Sequence, residues 1–273
     1  MTVTIFNEAE LTSRQQRELD YHRDHAERHE AALRQPVGFK IVKSRERRWY
    51  NAYWETYRLV LSAGLTSKRV LVVGCGAGTD AIRLAAIGAE AFGCDLSPDL
   101  ISIATERAKA AGLPVDFRVM PAERLDYADR YFDAVLFVDI LHHVDIPKTM
   151  QEIRRVLKPG ALVIGDELYT HTAMQRVRAS RLVTHGLYPR MVRFIYGTDR
   201  PYITEDERKI DEREFASITD DLRELRCDYF SLIAGRLVPD WIWACKLDRL
   251  ILMAVGSIGR FLAGRVVFMG RVP

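Results

Sequence analysis

The 273-residue chain has only four cysteines, Cys75, Cys94, Cys227 and Cys245, and none stands in a CxxC pair. That scarcity argues against a zinc site or disulfide framework and makes a reducing cytoplasm the expected compartment. Long apolar runs are also lacking. The richest stretch, 241–270, is broken by Lys246, Asp248, Arg249, Arg260 and Arg265, short of the roughly 20 uncharged residues that span a bilayer. The opening MTVTIFNEAELTSRQQRELD has neither the basic region nor the apolar stretch of a signal peptide. Charge of one sign is missing too: 40 Lys and Arg face 37 Asp and Glu, for a net charge of +3. No whole-chain field therefore argues for nucleic acid. Repeats and low-complexity tracts are absent. A chain of this length, 48% hydrophobic, can bury a substantial core unaided. It is expected to be neither an integral membrane protein nor a nucleic-acid binder.

The polar stretch 8–33 contains no Pro or Gly and reads as a surface helix, punctuated by Pro36 and Gly38. A second helix is expected over 44–63, carrying Trp49, Tyr50, Tyr53, Trp54 and Tyr57 and stopped at Gly64. From Arg69 the chain alternates between short apolar runs and helical segments. Strands are expected over 70–74, 90–94, 115–119, 132–138 and 161–166, with helices over 79–87, 97–111 and 146–157 between them. That alternation implies a parallel sheet covered on both faces. The rhythm breaks over 170–213, which reads as an insertion. A strand over 227–233, an apolar helix over 241–261 and a last strand over 266–269 complete the sheet. The expected organisation is a helical lid (1–64), a core (65–169), a cap (170–213) and a closing segment (214–273).

The run Val70-Leu-Val-Val-Gly-Cys-Gly-Ala-Gly-Thr-Asp80 carries the chemistry. A buried strand ends at Gly74, and Gly76 and Gly78 let backbone approach a ligand that a Cβ would obstruct. Asp95 closes the next strand, near the roughly 20-residue offset at which a carboxylate holds ribose hydroxyls. A nicotinamide fingerprint would need its third glycine one residue later than Gly78.

With VLVVGCGAG (70–78), GCDLS (93–97), FDAVLFVDILHHV (132–144) and LKPGALVI (157–164) in this order, the sequence resembles the class I S-adenosylmethionine-dependent methyltransferases. The resemblance implies an α/β Rossmann-like sheet, mostly parallel with an antiparallel last strand, and S-adenosylmethionine as cofactor. It implies that Gly74, Cys75, Gly76 and Gly78 surround the methionine part and ribose. Asp95 would hold the ribose hydroxyls and Leu96 would lie against adenine. Ala122 and Glu123 would border the adenine edge, while Val138, Asp139 and Ile140 would flank the amino-acid end. Two positions depart from the family pattern: Val72 stands where an acid is frequent, and Pro121 where Asp often precedes the Ala-Glu pair.

His142 and His143 follow the fourth core strand, where either imidazole could act as general base or merely shape the cofactor loop. Asp139, Asp166 and Glu167 could hold Mg²⁺, but no metal is expected. Tyr21, beside His22 on a polar helix, is the lid candidate for the active site. Arg176, Arg178, Arg181, Arg190 and Arg193 read as a solvated face or as a recognition site for an anionic group. The expected activity is methyl transfer to a small, largely apolar natural-product acceptor. It leans to C-methylation of an isoprenoid or prenylated aromatic alkene, whose cation aromatic faces would stabilise. O-methylation of a sugar or phenol with a His base is the alternative, and a non-catalytic binding module the reading of another class. The helix 241–261 is too apolar all round to stand in water. It is expected in the core or against a second subunit, hence a homo-oligomer.

Overall fold

A computed structural model describes residues 11–178, 180–187, 194–195 and 209–273. Seven strands form one sheet: β1 (Arg69–Val73), β2 (Glu90–Asp95), β3 (Val115–Val119), β4 (Phe132–Val138), β5 (Leu157–Leu168), β6 (Arg223–Phe230) and β7 (Arg265–Arg271). Their order is β3-β2-β1-β4-β5-β7-β6. The first five run parallel, and β7 runs antiparallel to both β5 and β6. This is the Rossmann-like arrangement expected from the sequence, with its antiparallel last strand.

Side chains alternate across the sheet and sort the core into two layers. Leu71, Val73, Val135, Phe137 and Val163 pack on one face, beneath α6 (Ile146–Val156) and α8 (Glu212–Thr219). Val70, Val72, Ala134, Leu136 and Leu162 pack on the other, beneath α3 (Ala52–Ser62) and α4 (Thr79–Ala86). Both faces are covered, so the parallel strands read as continuous apolar runs rather than as alternating ones.

The remaining helices are α1 (Ser13–Leu33), α2 (Lys40–Lys43), α5 (Pro98–Ala111), α7 (Thr172–Arg178) and α9 (Ile242–Ala254). A capping box starts α1: the Thr12 hydroxyl accepts from the Gln15 amide, and the Gln15 side chain accepts from the Thr12 amide.

Two helix expectations need correction. Within the span 44–63 only α3 is helical: residues 44–51 connect it to the short α2, which ends at Lys43. Asn51, with extended backbone, accepts from the Trp54 amide and starts α3 there. Trp49 and Tyr50 lie in the preceding turn. The run 241–261 is likewise divided: α9 ends at Ala254, and a 3₁₀ turn over Gly256–Phe261 begins at Gly256, whose φ is +54°. Much of its apolar surface faces outward rather than into the core. Within 170–213, α8 begins at Glu212 and a π-helical turn covers Leu182–Leu187. Arg176 and Arg181 are exposed. Pro189, Arg190, Arg193, Asp199 and Pro201 lie outside the described residues, as does the side chain of Arg178.

Candidate active site

The strands β1, β2 and β4 end together, and their connections enclose the site. Backbone leaves β1 through Gly74 at φ +65°, Gly76 at +50° and Gly78 at +79°, a region that side-chain-bearing residues rarely adopt. The three glycines do different work. A Cβ on Gly74 would come within 2.4 Å of the Ile140 side chain, and one on Gly78 within 2.7 Å of Ala104 and Phe117. Gly76 faces open space. Gly78 is thus demanded by packing against α5 and β3, and close backbone approach to a ligand falls to Gly76. Cys75 and Cys94 are buried; burial pushes the Cys94 thiol up to about 12, so it packs as a neutral group.

Asp95 is fixed before any ligand arrives. Its Oδ2 accepts from the Gly76 amide at 2.8 Å and its Oδ1 from the Ser97 amide at 2.9 Å. Each oxygen keeps a further lone-pair direction for a hydroxyl donor. Gly74, Asp95, Leu96, Ala122, Glu123 and His143 line one narrow cavity of about 50 Å³, closed on its outer side by Gln15 and Glu18 of α1. Glu123 braces this wall: Oε1 accepts from the Asp145 amide at 3.0 Å, and Oε2 accepts from Gln15 Nε2 at 3.0 Å. The preoriented Asp95 carboxylate and the open face of Gly76 suit a ribose-bearing cofactor.

The two histidines are sorted by burial. His142 is buried, with Nδ1 3.2 Å from Glu167 Oε2; Glu167 Oε1 accepts the amides of Ile140 at 2.9 Å and Leu141 at 3.0 Å. His142 is therefore a strut of the β4 loop. The His143 ring lies 4.1 Å from it, lines the cavity, and sets Nδ1 3.2 Å from Glu18 Oε2. Arg14 completes the clamp, donating to the carbonyls of His142 at 2.8 Å and Val144 at 3.2 Å. Tyr21, one turn beyond Glu18, is half-buried and lines neither this cavity nor the next.

A second cavity of about 500 Å³ opens beside the first, at the ends of β4 and β6 and the start of β7. Val138 and Asp139 line this one. Asp139 sits at φ +53°, a strained conformation for a residue with a side chain. Arg265 holds it there, with Nη2 2.8 and 2.9 Å from the two Asp139 oxygens and Nη1 2.7 Å from Asp166. Thr56 donates to the other Asp166 oxygen at 3.0 Å. Burial pushes the Asp166 carboxyl up to about 6, against the opposing pull of Arg265 and Thr56. Asp139, His142 and Glu167 offer ligand atoms within 4.8 Å of one another. Glu167 is nevertheless saturated by backbone donors and His142, and Asp139 is clasped by a guanidinium that a cation would have to displace.

Arg14, Gln15, Glu18 and Arg265 are functional neighbours that the sequence reading missed. Their partners lie 99 to 130 residues away along the chain, beyond any local motif. The capping box at Thr12 was the one local signal, and it marks where α1 starts rather than what it touches.

Residues 71–165 match the family model of a methyltransferase domain. The ubiquinone biosynthesis O-methyltransferase of Rhizobium etli is 40% identical over 100 residues, 36% of this chain and 40% of that protein. That of Cereibacter sphaeroides is 40% identical over 101 residues, 37% and 41% of the two chains. The chain thus aligns with about two fifths of these curated relatives' length. Among solved structures, magnesium protoporphyrin IX methyltransferase from Synechocystis PCC 6803 superposes with a TM-score of 0.57 at 17% identity, over 94% of this chain and 99% of that one. This likeness is one of fold. The chain carries a class I S-adenosylmethionine-dependent methyltransferase domain. Its cofactor is S-adenosylmethionine.

Proposed function

We propose that the protein moves the methyl group of S-adenosylmethionine to an oxygen of a small acceptor that reaches from the 500 Å³ cavity toward His143, which lines the neighbouring one. His143 carries this reading: it lines the cofactor cavity, and the Glu18 carboxylate stands 3.2 Å from Nδ1. That carboxylate lies outside hydrogen-bond geometry, but its charge favours the proton on Nδ1 and leaves Nε2 to act as base. The cofactor, when bound, supplies an electrophilic methyl group on a sulfonium. The chain's own part is to place the acceptor oxygen, take its proton and exclude water.

The names of the relatives, O-methyltransferases, support oxygen as the nucleophile. So does the charged lining of Asp139, Arg249 and Arg265, which suits a phenolic or sugar hydroxyl. Alkene C-methylation calls for aromatic faces around a cation. The rings that line this cavity, Tyr50, Tyr53 and Phe230, already face the cations of Lys246, Arg83 and Arg249.

Replacing His143 by Gln should lower kcat on phenolic acceptors by about 10²-fold or more, with cofactor affinity little changed. Glu18→Gln should displace the pH profile of kcat. Wild-type turnover in the His143→Gln protein would leave this reading without its base.

A further inference from the structure

α9 is an amphipathic helix turned inside out. On a surface helix the charged residues ordinarily face water and the apolar stripe faces the core. Here Asp248 is buried and accepts three backbone amides, those of Leu232 at 2.9 Å, Ile233 at 2.9 Å and Ala234 at 2.8 Å. Arg249, beside it, pairs inward with Asp228 and donates to the Tyr229 carbonyl at 3.2 Å. The charges anchor the helix to the loop after β6. The outward face is left to Ile242, Trp243, Leu247, Leu250 and Met253, which are 44–60% exposed. Trp241 joins them, its ring stacked on Trp243 at 5.6 Å and 29°, and Ile258 of the following turn extends the patch. A contiguous exposed patch on a helix anchored inward by Asp248 Oδ2 and Arg249 marks a binding surface.

We propose that this face docks on the interface of an anionic lipid bilayer. Charge selects the occupant. Between residues 240 and 261 the exposed charges are Asp240, Lys246 and Arg260, a net cationic set, and the other acid, Asp248, is buried. Two-fold contact with a second copy sets a patch against itself, so its excess of cations would meet its like, with Asp240 alone to answer Lys246 and Arg260. Anionic headgroups supply the missing charge. Composition agrees: indole rings and aliphatic side chains with flanking basic residues are the pattern of a helix lying in the interfacial plane. Thirteen residues make a helix of about 20 Å, too short to cross, and no described helix is long and apolar enough to span a membrane.

The surface is continuous with the second cavity. Asp240, Ile242, Cys245, Asp248 and Arg249 line that cavity, while Asp240, Trp241, Ile242, Trp243 and Lys246 frame a shallow hollow beside it. A protein seated on a bilayer through α9 presents the cavity beside the lipid phase, where an acceptor with an apolar tail would reside. The docking surface itself does not depend on the methyl-transfer reading.

Flotation of the whole protein with vesicles tests it. The protein should float with vesicles of equal parts phosphatidylcholine and phosphatidylglycerol. It should bind pure phosphatidylcholine less, and high salt should weaken the mixed-vesicle binding. The double change Trp243→Ser, Leu250→Ser removes exposed side chains only, so it should cut vesicle binding at least tenfold with the thermal midpoint unchanged. Lys246→Glu should weaken binding to the anionic vesicles selectively. No flotation, or flotation indifferent to the double change, would overturn the proposal. So would a dimer in light scattering that the same double change converts to monomer, because the face would then belong to a second copy.

Discussion

Asp166 couples the larger cavity to pH. Its carboxyl is raised to about 6 by burial, above the 3.8 of a free aspartate. The folded state therefore holds this proton more tightly than the unfolded chain does. The stabilisation is fully present below about pH 4 and is lost as pH rises through about 6. Relative to wild type, Asp166→Asn should gain stability between pH 4 and pH 7, read as a change in the difference of urea midpoints. A constant difference over that range would refute the assignment. The glycine turn and the place of Asp95 at the end of β2 were legible because both depend on residue types at fixed local spacing. Arg265 was not legible: it meets Asp139 and Asp166 only because β7 returns antiparallel beside β5, across 126 and 99 residues of chain.

Elements with a strong apolar period were readable, and those bounded by tertiary contact were not. The expected strands 115–119 and 132–138 coincide with β3 and β4, since turn chemistry and charged residues delimit both runs. The helix expected over 44–63 failed because helical spacing of aromatics continues upstream of Asn51, whose cap starts α3 later. On α9 the composition announced an apolar helix but not its orientation, which the buried Asp248 sets. α1 has more grip than its polar sequence conveys, with Leu19 fully buried and Arg14, Gln15 and Glu18 bound to the β3 and β4 loops. The 50 Å³ cavity beneath it is far below the roughly 300–1,000 Å³ of small-molecule sites, so cofactor entry should require α1 to lift. Deleting residues 1–33 should speed cofactor release and lower kcat/KM. Tyr21→Phe and Tyr21→Ala would separate a hydroxyl role from a ring role on this lid. Unchanged kcat and KM after the deletion would remove α1 from the chemistry.

At the scale of the molecule, Val138 and Asp139 line the larger cavity and Ile140, next along the chain, lines the smaller one with Asp95. Arg265 and the backbone amides occupy the carboxylates that a metal would need, so turnover should survive EDTA. Loss of activity with chelator, restored by Mg²⁺, would contradict that view of Asp139 and Glu167. Cofactor binding underlies every other expectation and can be read directly by calorimetry with S-adenosylmethionine on the wild type and Asp95→Ala. Hydrogen bonds to a charged group are worth roughly 1.5–3 kcal/mol each. The wild type should therefore bind one cofactor per chain, and the folded variant should bind at least tenfold more weakly. No heat from the wild type, or equal affinity in the two proteins, would contradict the cofactor site built around Asp95.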